Sequence, residues 1–438
     1  MKSRYPTFSR QVMARIMVMA WIGMEISRPA LAATDISDIP MAVLSSVKPN
    51  VMMTLDDSGS MQFEVIPESS QVYLTFPRPT TLYGSTYYSY GTYDQIPRFD
   101  LNNNYSRCYR NAQCNPMYYN PATRYRPWVL TTNTNSSQLM ANAVPGAACN
   151  NPYACSGGTS EGTFALNVNQ TYTRNWVNNG GGSTSQSVTF YPATYFKYTG
   201  SGAAPTTVGA ANNTAANFTK VEIKLANAPF PKSAARTDCA GSTCTYAEEI
   251  QNFANWYSYY RSRILTARAG IGRAFAKLDD SSMRIGFAAI NKGSASIDNV
   301  NTGTIVNGVR LFTGADRTQF FSTLYGYSIL PVGTPLRLAL DDVGQYFSRT
   351  DDRGPWGQTP GSTGGTQRAC RQNFNILMTD GYWNGAGANT ATGNVDNASG
   401  ATISRPAGST QTPLTYQYTP RTAYSDSYSN TLADVAMY

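Results

Sequence analysis

The stretch Pro49–Met61, PNVMMTLDDSGSM, decides how this chain is read. Val51 to Leu55 make a short, nearly continuous apolar run, which suits a strand buried on both faces. The run stops at Asp56, and Ser58 and Ser60 follow at alternate positions. A buried strand that ends in Asp-x-Ser-x-Ser places one carboxylate and two hydroxyls at a sheet's edge. Those are hard oxygen donors, the kind a small divalent cation such as Mg²⁺ takes. A cation held by so few charges keeps a coordination position free for a further ligand, so the stretch points to metal-dependent binding. Asp57 points away from Asp56 and is expected to be exposed or outside the ligand set.

Upstream, the chain opens like an exported precursor. Lys2, Arg4, Arg10 and Arg15 precede an apolar stretch, Ile16 to Met24, and Ala30-Leu31-Ala32 offers a small-x-small cleavage site. Glu25 and Arg28 leave the apolar core too short to span a bilayer. Residues 1–32 therefore read as a signal peptide, and the mature chain as exported with no transmembrane segment. Half of the formal charge of +8 falls in those residues, and no basic run follows, which argues against a nucleic-acid partner. Charged residues are only 14% of the chain, against 30 Tyr and 36 Gly, so the surface is solvated by hydroxyls and amides, as in many secreted and adhesive proteins.

Seven cysteines fit an oxidising compartment. Cys108 and Cys114, Cys149 and Cys155, and Cys239 and Cys244 are close couples that could each close a small loop. Cys370 is left over, either as a buried thiol or with a partner beyond this sequence. No Cys-x-x-Cys spacing occurs, which argues against cysteine-bound metal. The chain has no histidine. That removes Ser-His-Asp and Cys-His nucleophile systems and His-ligated zinc, so a non-enzymatic role is expected.

Residues 62–246 interrupt the pattern begun by the first strand. They are rich in Tyr, Asn, Gly, Thr and Pro, with short strand-like pieces at Ser187–Tyr191 and Tyr195–Tyr198 and a flexible loop at 178–185. A helical pattern follows, with apolar positions from Ile250 to Leu278 on one face over about 30 residues. Met283–Ile290 suits a buried strand, 316–326 a short helix, and 329–334 a loop ending in Gly333-Thr334. Pro335 fits a helix's first turn, with Leu336, Leu340, Val343 and Phe347 as its buried face. After a loop at 354–368, Phe374–Met378 forms a third strand that ends at Thr379-Asp380-Gly381. Residues 382–429 are irregular, and 430–438 begin a helix that reads as cut inside an element. The fold expected is α/β, a doubly wound and mainly parallel sheet built from 33–61 and 247–438. A large loop- and strand-rich, disulfide-stapled insertion occupies 62–246.

In such sheets ligands bind beyond the carboxyl ends of the strands. Asp56, Ser58 and Ser60 would meet Thr334 and Asp380 there. Taken singly, Asp57–Ser60 would also read as an Asx turn, Thr334-Pro335 as a helix start and Asp380-Gly381 as a plain turn. In chain order the combination resembles the von Willebrand factor A domain and its metal-ion-dependent adhesion site. The resemblance implies Mg²⁺ (or Mn²⁺ or Ca²⁺) held by Asp56, Ser58, Ser60, Thr334 and Asp380, and completed by an acidic group from a partner.

More narrowly, the chain resembles the N-terminal part of PilY-type proteins, the type IV pilus assembly and tip-adhesin family. The carrying residues are the signal peptide, Pro49–Met61, the helix with Trp256, Tyr257 and Arg261, Gly333–Leu336, Leu377–Gly381 and Thr431–Ala436. Residues 62–246 match only in character. The resemblance implies a pilus-biogenesis factor and tip adhesin at the periplasm or outer surface. Its partner would be an acidic group on a protein ligand, a host surface or a pilin-like subunit. An alternative is a structural or mechanosensory module in which the metal site only stabilises the fold. The family's C-terminal β-propeller with its calcium-binding loop is not in this sequence.

Overall fold

The computed structural model describes residues 47–66, 71–86, 95–155, 161–368, 371–404, 415–422 and 424–438. The signal-peptide assignment at 1–32 and the leftover cysteine of the sequence reading, Cys370, lie outside the described residues. Four strands form the central sheet: β1 (Asn50–Leu55), β2 (Arg284–Ala289), β3 (Ile305–Leu311) and β4 (Asn373–Met378). Their order is β3-β2-β1-β4. β1 runs parallel to both β2 and β4, with Leu55 level with Ala289 and Met378, while β3 pairs antiparallel on the far edge. The sheet is therefore mixed. β3 was not foreseen, because Asn307 and Gly308 interrupt its apolar residues and hide the strand pattern.

Every residue of β1 is buried, and its side chains alternate between two clusters. Met53 and Leu55 join Ile285, Phe287 and Ala289 of β2 on one face. Met52 joins Ala288, Val309, Val343 and Tyr346 on the other. Helices supply both covers. α1 (Tyr246–Tyr259), α2 (Arg263–Ala276) and α3 (Gly314–Gly326) contribute to the first cluster, and α4 (Leu336–Phe347) to the second. That two-sided burial is why the strand reads as a continuous apolar run.

The single long helix expected from Ile250 to Leu278 is two helices. α1 stops at Tyr260 and α2 restarts after Ser262, whose hydroxyl accepts from the Leu265 N–H as an N-cap. The apolar spacing carries through the break, so periodicity could not reveal it. Gly272 of α2 lets α3 approach closely, since a Cβ there would meet the Tyr325 hydroxyl at 2.3 Å.

Within 62–246, Gln170–Val177 and Ser183–Phe190 pair as a hairpin, and Thr194–Tyr198 pairs with Phe218–Glu222. The loop expected at 178–185 is shorter than that, because Ser183 already lies in a strand. Cys108–Cys114, Cys149–Cys155 and Cys239–Cys244 are disulfide-bonded. The region packs onto α1. The Trp256 indole donates to the Met117 carbonyl at 3.0 Å, and the Tyr257 hydroxyl to Asn150 Oδ1 at 2.6 Å. One continuous buried cluster runs from β1 and β2 through these helices into Tyr118, Phe164 and Trp176. Val47–Tyr438 form one compact unit. Among the described residues no helix is long and apolar enough to cross a membrane.

Candidate functional site

Parallel pairing sets three strand ends at one level, and the candidate residues follow from that register. Beyond the ladder, the Asp56 N–H donates to the Met378 carbonyl at 2.8 Å and the Ile290 N–H to the Leu55 carbonyl at 3.2 Å. The segments after β1, β2 and β4 therefore leave the sheet together. The loop before α4 joins them. The Gly59 N–H donates to the Val332 carbonyl at 3.1 Å, and the Leu330 N–H to the Asp57 carbonyl at 3.0 Å.

Asp56 is fully buried at the base of this edge. Its Oδ1 accepts from the Ser58 N–H at 2.9 Å and its Oδ2 from the Thr379 hydroxyl at 2.8 Å. Ser58 and Ser60 hydroxyls lie 3.2 Å apart. Ser60, Thr334 and Asp380 line one open cleft of about 360 Å³, walled by Phe63, Tyr73 and Tyr382. Thr334 is held by a reciprocal pair, its N–H donating to Asn384 Oδ1 at 2.9 Å and its carbonyl accepting from the Asn384 N–H at 3.0 Å. Gly381, at φ 143°, turns the chain away after Asp380. All five candidate residues thus lie around one strand-end cleft, with Asp56 and Ser58 beneath it.

Burial pushes the Asp56 carboxyl above its usual range and the neighbouring Asp380 charge adds to this, against hydrogen bonds from Ser58 and Thr379. Asp57 is fully buried as well, not exposed, because β2 ends beside it. Its Oδ1 accepts from the Asn291 N–H at 3.0 Å and side-chain amide at 3.1 Å, whereas Oδ2 is buried without a partner among the described residues. Burial raises Asp57 to about 7. Asp380 is not open either. Arg263 Nη1 donates to its Oδ2 at 2.6 Å, with both side chains largely buried.

The donor set fits a hard cation: two carboxylates and three hydroxyls, all oxygen. Among the described residues no group of three or more His, Cys, Asp or Glu side chains is placed to hold a metal, so hydroxyls would have to complete any such site.

The chain is 31% identical over 412 residues to the type IV pilus biogenesis factor PilY1 of Pseudomonas aeruginosa strain PAK, covering 93% of this chain. PilY1 of strain PAO1 is 29% identical over 417 residues, and that of strain UCBPP-PA14 is 27% identical over 409. The chain is related to PilY1-type type IV pilus factors. It spans only about 29% of the length of the PAK relative. No protein-family model and no solved structure matches it.

Sequence reasoning missed Arg263, Thr379, Asn291 and Asn384 as neighbours of the site. Thr379 sat in the quoted Thr-Asp-Gly and could have been included. Arg263 and Asn384 carry no local signal, since their partners are 117 and 50 residues away.

Proposed function

We propose that this part of a PilY1-type protein acts in type IV pilus biogenesis as a non-enzymatic, exported binding module with a von Willebrand factor A-like core. In that reading Asp56, Ser58, Ser60, Thr334 and Asp380 hold Mg²⁺ or a similar divalent cation. The cation supplies a Lewis-acidic point at which an acidic group of a partner docks. That partner is a protein ligand, a host surface or a pilin-like subunit, met at the outer surface or the pilus tip. The observation that carries the reading is the meeting of Ser60, Thr334 and Asp380 around one cleft above Asp56 and Ser58. These positions come from three separate segments of the chain.

The test is Mn²⁺ binding to the purified protein, with adhesion of piliated cells scored in parallel. Asp56→Ala is expected to abolish both. Uptake and adhesion that survive in the variant, or adhesion unchanged in EDTA, would overturn the proposal.

A specific observation favours a second reading, in which the site only fastens the fold. Both carboxylates already have partners within the chain, Asp56 in Ser58 and Thr379 and Asp380 in Arg263. On that reading Asp56→Ala lowers stability and pilus number while the isolated protein's binding to surfaces stays the same.

A further inference from the structure

Arg263 stands where the strand-end cleft meets the start of the inserted region. It opens α2, directly after the capping Ser262. Nη1 donates to Asp380 Oδ2 at 2.6 Å and Nη2 to the Val65 carbonyl at 3.0 Å. Its backbone N–H donates to the Phe63 carbonyl at 3.0 Å, and its guanidinium lies 5.3 Å from the centroid of the Phe63 ring. The side chains of Arg263 and Asp380 are only 6% and 9% exposed, so water screens the pair poorly. Phe63 also walls the cleft and packs on Tyr73 with ring centroids 4.5 Å apart. One side chain thus grips a candidate cation ligand and the first turn of the insertion together.

We propose that Arg263 is a built-in counter-ion that weakens the site's hold on a divalent cation by sharing Asp380, and so ties cation uptake to the Phe63–Val65 segment. The proposal rests on the reading of Asp56, Ser58, Ser60, Thr334 and Asp380 as the cation's ligands. Its basis is charge. With Arg263 in contact, one unit of the negative charge that the two acidic ligands can offer an incoming cation is already offset. In a poorly solvated cleft one unit charge at this range outweighs a neutral hydrogen bond. The guanidinium is not given up cheaply, because parting a buried pair strands both charges. A cation must therefore take the remaining oxygen of Asp380 or push Arg263 aside. In the second case Arg263 keeps its Val65 contact, so the pull is passed to the insertion.

Calorimetric titration of the purified protein with Mn²⁺ separates the possibilities. Arg263→Gln, which removes the charge but keeps a donor, is expected to bind about tenfold more tightly than the parent. Arg263→Met, which keeps an apolar stem against Phe63, should tighten in the same direction and stands in if the Gln variant does not fold. Arg263→Lys, with the charge kept, should bind like the parent. Equal or weaker binding by the neutral variants overturns the proposal, and so does tightening by Lys as large as by Gln. Equal binding by parent and Arg263→Gln that disappears in Asp56→Ala removes this inference alone. No uptake by any of them removes the cation reading itself.

Discussion

Arg261 and Arg263 stand two residues apart and serve two regions that bury charge by opposite rules. Arg261 faces the insertion and pairs with Glu64, Nε to Oε1 at 3.1 Å, with side chains 1% and 3% exposed. The second oxygen of Glu64 accepts from the Thr75 N–H, the Thr75 hydroxyl and the Phe76 N–H. Arg261 also donates to the Tyr257 carbonyl and lies over that ring. Both oxygens of Glu64 are hydrogen-bonded there. At the strand ends Asp56, Asp57 and Asp380 gather, and the Arg263 guanidinium there pairs with Asp380. One region meets its carboxylate with a guanidinium and three further donors; the other gathers three carboxyls beside one guanidinium. The first arrangement suits a scaffold, and the second suits a ligand.

The contrast breaks first where charge is balanced. Arg261→Met strips buried Glu64 of the guanidinium that touches it and leaves it the donors of Thr75 and Phe76, and should cost about 3–5 kcal/mol. Denaturant unfolding at neutral pH reads it directly. A loss below about 1 kcal/mol would mean that Glu64 does not depend on its cation.

The strand ends should respond with the opposite sign. Burial lifts Asp57 to about 7, above the unfolded value near 4. A carboxyl raised in this way favours the folded state while protonated. That stability is complete below about pH 4 and is lost as the pH climbs through 7. Asp57→Asn cannot ionise and keeps the acceptor that Asn291 uses. In EDTA it should stabilise the protein at pH 8 by an amount on the order of 4 kcal/mol, three units at about 1.4 kcal/mol each, and change little at pH 4. A gain of equal size at both pH values would show that charge is not the cause.

How much of this was legible follows the same division. β1 could be read from its own residues, because burial on two faces demands an unbroken apolar run. Asp56, Ser58 and Ser60 were legible by position, since parallel pairing brings strand ends level. Thr334 followed from the start of α4 and Asp380 from the end of β4. The sheet's far edge was hidden because β3 is half exposed and carries Asn307 and Gly308. The break between α1 and α2 was hidden because Ser262 caps a new helix without disturbing the apolar spacing. The charge balance could not be read at all. Arg261 and Arg263 look alike along the chain, and only the fold assigns one to Glu64, 197 residues away, and the other to Asp380.

The smallest effect asks whether the gathered carboxyls are there to be used. The Thr379 hydroxyl donates to Asp56 Oδ2 at 2.8 Å, and Thr379→Val removes that donor with little change of shape. In EDTA the variant should lose about 1.5 kcal/mol, the usual worth of a hydrogen bond to a charged group. Asp56 is fully buried, so water cannot readily replace the lost donor. A cation can, because it satisfies the same oxygen more strongly than a hydroxyl does. Excess Mg²⁺ should therefore stabilise the variant more than the parent and close most of the gap between their melting temperatures. If the gap is the same with and without Mg²⁺, Asp56 takes no cation. Its burial then belongs to the scaffold, like that of Glu64, and the two regions differ only in how completely their charges are paired.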